Sequence, residues 1–181
     1  MVKTTRIRLD RISSSTRNAQ LSTEVIIGDE IVAAEGYVLA VRILHDKSSY
    51  NTVEDRTGRM VSLRAGDILA GTLGHRRALR GYAGVVPSTV SVGDTIEVLN
   101  LGGILGKCTS SNPENGAPFK AEVLGAILSF PELGDRIGLR EVTVGGALAS
   151  LVVLLAVRLV RPGSTAVLDP ADEAIVASPD P

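Results

Sequence analysis

The chain has 181 residues, 44% of them hydrophobic and 22% charged, a composition typical of one globular domain with short tails. The formal net charge of -1 argues against binding to nucleic acid through the overall electrostatic field, and the absence of tryptophan leaves few stacking platforms for single strands. One cysteine excludes an internal disulfide framework and a multi-cysteine metal site, and it favours a reducing, cytoplasmic setting.

The first half of the chain has the pattern of short β-strands. TRIRLD alternates polar and apolar residues, with Ile7 and Leu9 on one face, and SSST at 13–16 predicts a loop. The run from residue 24 to 47 is rich in Val and Ile and is interrupted at Gly28-Asp29 and at Gly36, which predicts two or three strands. It ends at His45-Asp46-Lys47, which we interpret as a polar strand end facing solvent. Residues 51–63 predict a hairpin with Thr57-Gly58 near its turn.

Two Gly-Asp pairs form an internal echo. Gly66-Asp67 precedes an apolar run, and Gly93-Asp94 precedes another. Glycine adopts positive φ and aspartate bonds nearby backbone, so each pair predicts a turn leading into a strand.

LGGILGKCTSSNPENG, residues 101–116, imitates a phosphate-binding loop. A Walker A loop needs Gly, four residues and then Gly-Lys-Ser/Thr. Here Leu101 stands where the first glycine belongs and Cys108 where the hydroxyl belongs, and turn residues replace the helix. We interpret the stretch as a glycine bend between two strands. Cys108 is then either a small buried apolar residue or a thiol whose pKa is lowered by Lys107.

The rest of the β region predicts a strand at 121–128 and a turn at 131–135. The whole region from about residue 4 to 139 predicts a mainly β fold, a small barrel of about eight short strands with glycine-rich turns.

The C-terminal part has a different pattern. Residues 142–157 carry no charge and are followed by Arg158, Arg161 and Pro162-Gly163. This predicts an apolar helix or strand over 142–161 that completes a single domain of residues 1–161. Membrane association through residues 142–160 is the alternative. Residues 162–181, with four acids and several prolines, predict a disordered acidic tail.

Residues 74–81, GHRRALRG, are the strongest candidate for a binding site. We interpret them as a loop with one helical turn over 75–79. Arginine guanidinium groups match the geometry of phosphate and carboxylate, and flanking glycines allow close approach. The candidate ligand-binding residues are His75, Arg76, Arg77 and Arg80. A plain solvated loop offset by acids such as Glu54 and Asp55 is the alternative.

Catalytic and metal-binding patterns are missing from the sequence. The two histidines, His45 and His75, lie thirty residues apart without a metal-type spacing, and no serine lies in a Gly-x-Ser-x-Gly elbow. The sequence therefore assigns no catalytic residue and no metal site, and it leaves any cofactor unknown.

Residues 37–139, with GDILAGTLGHRRALRGYAGVVP and GDTIEVLNLGGILGKC, resemble the N-terminal β-domain that precedes a P-loop domain in some bacterial ATPases. No Gly-Lys-Thr P-loop follows in this chain. The resemblance therefore implies an accessory domain without the ATPase engine.

These observations predict a non-enzymatic cytoplasmic module that binds a partner protein or an anionic ligand through the loop at 74–81. One alternative is a subunit of an enzyme acting on a phosphorylated or carboxylated small molecule, with the arginines holding the anion. A second alternative is a membrane-associated protein anchored by residues 142–160.

Overall fold

The computed structural model describes residues 3–78, 80–130 and 135–136, and within them the fold is mainly β, as the sequence predicts. Two short 3-10 helices span Ser14–Ala19 and Pro113–Asn115. The described residues contain twelve strands, more than the eight predicted: β1 (Thr4–Arg8), β2 (Arg11–Ile12), β3 (Glu24–Gly28), β4 (Val38–Ile43), β5 (Thr52–Glu54), β6 (Met60–Ser62), β7 (Ile68–Leu73), β8 (Tyr82–Val85), β9 (Thr95–Val98), β10 (Ile104–Ser111), β11 (Phe119–Phe130) and β12 (Asp135–Arg136).

Five strands pair in a closed circuit. Strand β4 pairs antiparallel with β7 and with β11, and β7 pairs in parallel with β10. Strand β9 pairs antiparallel with both β10 and β11, which completes the circuit. The architecture is barrel-like in this respect, with alternate side chains pointing into and out of the circuit.

Two hydrophobic cores lie on the two faces of these strands. Every strand of the circuit contributes to the larger core, which contains Leu39, Leu73, Ile96, Leu105 and Val123. The smaller core lies on the other face and is built largely by residues before β4, including Leu9, Ile12, Leu21 and Val25. Strand β4 serves both cores, because successive side chains of a strand point to opposite faces: Leu39 and Val41 enter the larger core, and Val38 and Ala40 enter the smaller one.

The two Gly-Asp turns have the same geometry, as the echo in the sequence predicts. Gly66 and Gly93 have φ of 92° and 89°. In each turn the carboxylate accepts a hydrogen bond from the backbone N–H three residues earlier, at 3.0 Å for Asp67 and 2.8 Å for Asp94. The backbone N–H of the same aspartate donates to the carbonyl of that earlier residue, at 3.1 Å in both turns. One local device therefore starts both β7 and β9.

The stretch that imitates a phosphate loop is a bend followed by a strand. Asn100 and Gly103 make the bend, with the Asn100 side chain accepting from the Ile104 N–H at 2.8 Å. Gly106 and Lys107 then lie inside β10, whose backbone pairs with β8 and β9. Backbone groups used in this pairing cannot wrap a phosphate.

Two local predictions were wrong. No helical turn covers residues 75–78, because the backbone of Arg76 forms a β-bridge with Gly84. The predicted loop at 13–16 instead begins a 3-10 helix at Ser14, with the buried Thr16 hydroxyl donating to the Ser13 carbonyl at 2.8 Å. At Arg76 the pairing with Gly84 decides the backbone conformation, which local composition does not encode.

Several predictions concern residues outside the described part of the chain: most of the turn at 131–135, the apolar segment at 142–161 with its alternative membrane role, and the acidic tail at 162–181. Within the described residues, no helix is both long enough and apolar enough to cross a membrane.

Candidate functional site

The basic loop, residues 74–81, connects β7 to β8, and Arg76 braces it from within. The backbone N–H groups of Arg76 and Gly84 each donate to the carbonyl of the other, at 2.8 and 2.9 Å. The Arg76 guanidinium donates through Nη1 to the carbonyl of Leu99. It also covers Gly81 so closely that a Cβ there would lie 2.9 Å from Nη2. Some of the hydrogen-bond donors of Arg76 therefore hold the loop in place.

Other contacts hold both ends of the basic loop. His75 is exposed, and its Nδ1 accepts from the Val86 N–H at 3.4 Å. At the other end, the Asn115 side chain donates to the Arg80 carbonyl at 3.1 Å. The Asn112 N–H donates to the Gly81 carbonyl at 3.3 Å. The loop backbone is thus tied to β8 and to the second 3-10 helix.

The side chains of Arg77 and Arg80 are exposed. Among the described residues, neither guanidinium has a carboxylate partner. The two acids that the sequence suggested as offsets for the basic loop accept hydrogen bonds elsewhere. Glu54 accepts from the Ser14 hydroxyl at 2.6 Å, and Asp55 accepts from the Thr57 hydroxyl at the same distance. The four candidate residues of the motif therefore divide into one internal brace, Arg76, and three exposed side chains.

A second group of polar and aromatic residues lies against the basic loop, and we call it the lysine cluster: Lys47, Tyr50, Tyr82, Asn115 and Phe119. The Lys47 Nζ lies 2.7 Å from the Tyr82 hydroxyl and 3.3 Å from the Asn115 carbonyl. It also lies 5.0 to 5.9 Å from the centres of all three rings. The Tyr82 hydroxyl donates to the Asn115 carbonyl at 2.9 Å.

Burial changes the acid–base properties of two groups in the lysine cluster. It lowers the pKa of Lys47, because a desolvated ammonium is less stable than a neutral amine. Burial also raises the pKa of Tyr82, and the nearby Tyr50 and Cys108 raise it further. Each shift favours the neutral form of the group more than solvent would, the neutral amine of Lys47 and the protonated hydroxyl of Tyr82.

Two strained or unsatisfied features adjoin the lysine cluster. Tyr50 has a φ of 50°, a left-handed conformation that bulky residues rarely adopt, and its ring makes an edge contact with Tyr82 at 5.4 Å. His45 packs edge-on against Phe119 at 5.8 Å, and its Nδ1 is buried without a hydrogen-bond partner among the described residues. Such features concentrate at functional sites.

The sequence does not predict the lysine cluster, because its members come from three separate parts of the chain, residues 47–50, 82 and 115–119. The polar pattern at residues 45–47 predicts a strand end facing solvent, whereas the Lys47 side chain is half-buried. The one available signal was scarcity: the chain has only two Phe and three Tyr residues, and three of these five rings contact one lysine.

Cys108 is half-buried in β10, and burial raises the pKa of its thiol. This is the opposite direction to the activation by Lys107 that the sequence left open. No group of three or more His, Cys, Asp or Glu side chains in the described part of the chain is arranged to hold a metal ion.

Comparison of the chain with protein-family models, with curated proteins and with solved structures finds no match.

Proposed function

We propose that this chain is a non-enzymatic cytoplasmic accessory module that binds a partner protein or an anionic ligand through the basic loop. The observation that carries the proposal is that the loop backbone is fixed while two of its arginine side chains are exposed. Arg76 fixes the loop internally, while Arg77 and Arg80 project as exposed guanidinium groups.

Preorganisation is the physical reason why this arrangement suits binding. Fixing a loop on binding costs conformational entropy, and a loop that is already tied at both ends avoids much of that cost. Exposed arginines then offer fork-shaped donors to phosphate or carboxylate, with electrostatic steering of the encounter.

The accessory role is proposed from the resemblance of residues 37–139 to the N-terminal β-domain of P-loop ATPases, which the sequence suggests and no match with a known protein supports. The alternative of an enzyme subunit acting on a phosphorylated or carboxylated small molecule is favoured by one observation, the lysine cluster beside the basic loop. The alternative of membrane anchoring rests on residues 142–160, which lie outside the described part of the chain.

The proposal is tested by replacing both exposed arginines, Arg77→Gln with Arg80→Gln, and measuring binding of pyrophosphate by calorimetry and of a fluorescent polyglutamate peptide by anisotropy. We expect at least one probe to bind the unaltered chain and to bind the double variant at least about tenfold more weakly, since charge-assisted hydrogen bonds are worth about 1.5–3 kcal/mol.

The matched control is Arg8→Gln with Arg64→Gln, which removes the same charge from two exposed arginines outside the loop. The control should retain binding, and all proteins should unfold at similar urea concentrations. Equal losses in both double variants would show a general charge effect and contradict the proposal, as would failure of the unaltered chain to bind either probe.

A further inference from the structure

We propose that Lys47 is a reversible covalent binding site for a small aldehyde that carries a phosphate or carboxylate group. The reactive part of this inference depends on the lysine cluster alone. The anionic part rests on the proposed function of the basic loop.

The hydrogen bonds around the Lys47 amine leave its lone pair open when the amine is neutral. A neutral amine has two N–H donors and one lone pair, and an ammonium has three donors and no lone pair. Two oxygen acceptors lie within reach of Nζ, the Tyr82 hydroxyl at 2.7 Å and the Asn115 carbonyl at 3.3 Å. Two donors and two acceptors leave the lone pair, which is the nucleophile, without a hydrogen-bond partner.

The residues around the Lys47 amine have two opposing effects on the stability of its ammonium form. Three ring faces stabilise an ammonium through cation–π contacts, whereas removal from water destabilises it. The rings of Tyr82 and Phe119 belong to side chains that are 1% and 3% exposed, so the amine is held against the protein interior. Lysines desolvated in such surroundings serve as nucleophiles toward carbonyl groups.

The chemistry is imine formation, which needs no oxidant or reductant. The Nζ lone pair forms a bond to the aldehyde carbon as the carbonyl π pair moves onto oxygen. The nitrogen then loses a proton and the oxygen gains one, which gives a carbinolamine. The Tyr82 hydroxyl, which is already hydrogen-bonded to Nζ, is positioned to relay that proton. Loss of water with formation of the C=N bond completes the imine, and addition of water reverses it.

One asparagine joins the amine to the backbone of the basic loop. The carbonyl of Asn115 accepts from Nζ of Lys47, and its side chain donates to the carbonyl of Arg80 at 3.1 Å. Residue 80 thus lies one asparagine away from the nucleophile. This arrangement favours an aldehyde with an anionic group at its far end, held by Arg77 and Arg80.

The test is reductive trapping on the full chain. The chain is treated with pyridoxal 5'-phosphate or with neutral butyraldehyde, sodium borohydride reduces the imines, and peptide mass spectrometry measures the labelling rate of each lysine. The chain supplies its own controls, because its other lysines, Lys3, Lys107 and Lys120, are exposed.

We expect both aldehydes to label Lys47 several-fold faster than the exposed lysines. Tyr82→Phe, which removes the proton relay, should slow Lys47 alone, with the other three lysines as the internal reference. Labelling of Lys47 at or below the rate of the exposed lysines with both aldehydes overturns the covalent site.

The anionic part is tested separately with Arg77→Gln and Arg80→Gln combined. Labelling of Lys47 by pyridoxal phosphate should fall about tenfold, whereas labelling by butyraldehyde should stay unchanged. The double variant could instead leave the rate of labelling by pyridoxal phosphate unchanged while butyraldehyde still labels Lys47 selectively. That result would contradict both the anionic part and the proposed function of the basic loop, and it would leave the reactive lysine supported.

Discussion

Asp55 closes the turn between β5 and β6 with a single carboxylate oxygen. That oxygen accepts from the Thr57 hydroxyl at 2.6 Å, the Thr57 N–H at 2.7 Å and the Arg59 N–H at 3.1 Å. These bonds, the Thr57 hydroxyl foremost, lower the pKa of Asp55 below its ordinary value of 3.8. The turn is therefore held by the ionised form of one side chain.

The sign of the resulting pH dependence follows from the direction of the shift. A carboxyl group with a lowered pKa in the folded state stabilises the fold fully above its unfolded pKa, near 3.8, and this contribution disappears as the pH falls through the folded pKa. We expect Asp55→Asn to lower the urea midpoint at pH 6, and the difference from the unaltered chain to shrink from about pH 4 downward.

Thr57→Val is the companion variant for this prediction, because it removes the largest cause of the shift and keeps the carboxylate. Its loss of stability at pH 6 should also shrink on acidification. The difference in urea midpoint between the Asp55→Asn protein and the unaltered chain could instead stay constant from pH 6 to pH 3. That result would contradict a stabilising role of the ionised Asp55 carboxylate.

Part of the site in the basic loop could be predicted from the residue types alone. Residue type and glycine flanks pointed to four cations, and the structure leaves Arg77 and Arg80 exposed. The same information could not separate Arg76 from its neighbours. Its role as a brace depends on the Leu99 carbonyl, which lies just after β9 and more than twenty residues later in the chain.

The bend between β9 and β10 leaves no room for a side chain at Gly103. Gly103 has a φ of 83°, and a Cβ at this position would lie 2.2 Å from the Ser13 Cβ. The bend thus brings the segment before β10 into direct contact with the start of the first 3-10 helix. Ser15 also donates its N–H to the Gly102 carbonyl at 2.9 Å, so hydrogen bonding reinforces the contact.

Comparison of Gly103→Ala with Gly66→Ala separates this steric requirement from backbone strain. Both glycines have positive φ, but a Cβ on Gly66 would meet no atom within 4 Å. We expect Gly66→Ala to cost about 1–2 kcal/mol of unfolding free energy, the cost of a left-handed alanine. Gly103→Ala should cost about 1–3 kcal/mol more, because Ser13 must move.

Chemical denaturation of the two alanine variants, followed by circular dichroism, measures the difference. Equal losses would show that conformation alone requires glycine at position 103.

The sequence could predict that this glycine makes a bend, since Gly102-Gly103 follows a strand pattern. It could not predict the partner, because Ser13 lies ninety residues earlier.

At the scale of the molecule, strands that serve two cores make the two faces depend on each other. Strand β4 alternates between the cores along its length, and β11 places Val123 in the larger core and Ile127 in the smaller one. The apolar runs that contain β4 and β11 predicted strands in these places. Which strands close the circuit depends on pairings such as β9 with β11, and no local pattern encodes those pairings.

This shared framework predicts that the two cores unfold as one unit. Ile127 is fully buried in the smaller core, and Ile127→Ala should cost about 2–5 kcal/mol. All three tyrosines report on the opposite side: Tyr37 packs on the larger core, and Tyr50 and Tyr82 lie in the lysine cluster beside Phe119 of that core. Tyrosine fluorescence and far-ultraviolet circular dichroism should therefore show one common midpoint, shifted equally by Ile127→Ala.

Leu105→Ala, which truncates a fully buried side chain of the larger core, is the matched control. It should shift both signals together, as Ile127→Ala does, since a cooperative unit loses stability as a whole wherever the cavity is made. A fluorescence midpoint that Ile127→Ala leaves in place, while the circular dichroism midpoint falls, would mean that the smaller core unfolds separately. In that case β4 and β11 would join two independent units, and the basic loop and lysine cluster would depend on the larger core alone.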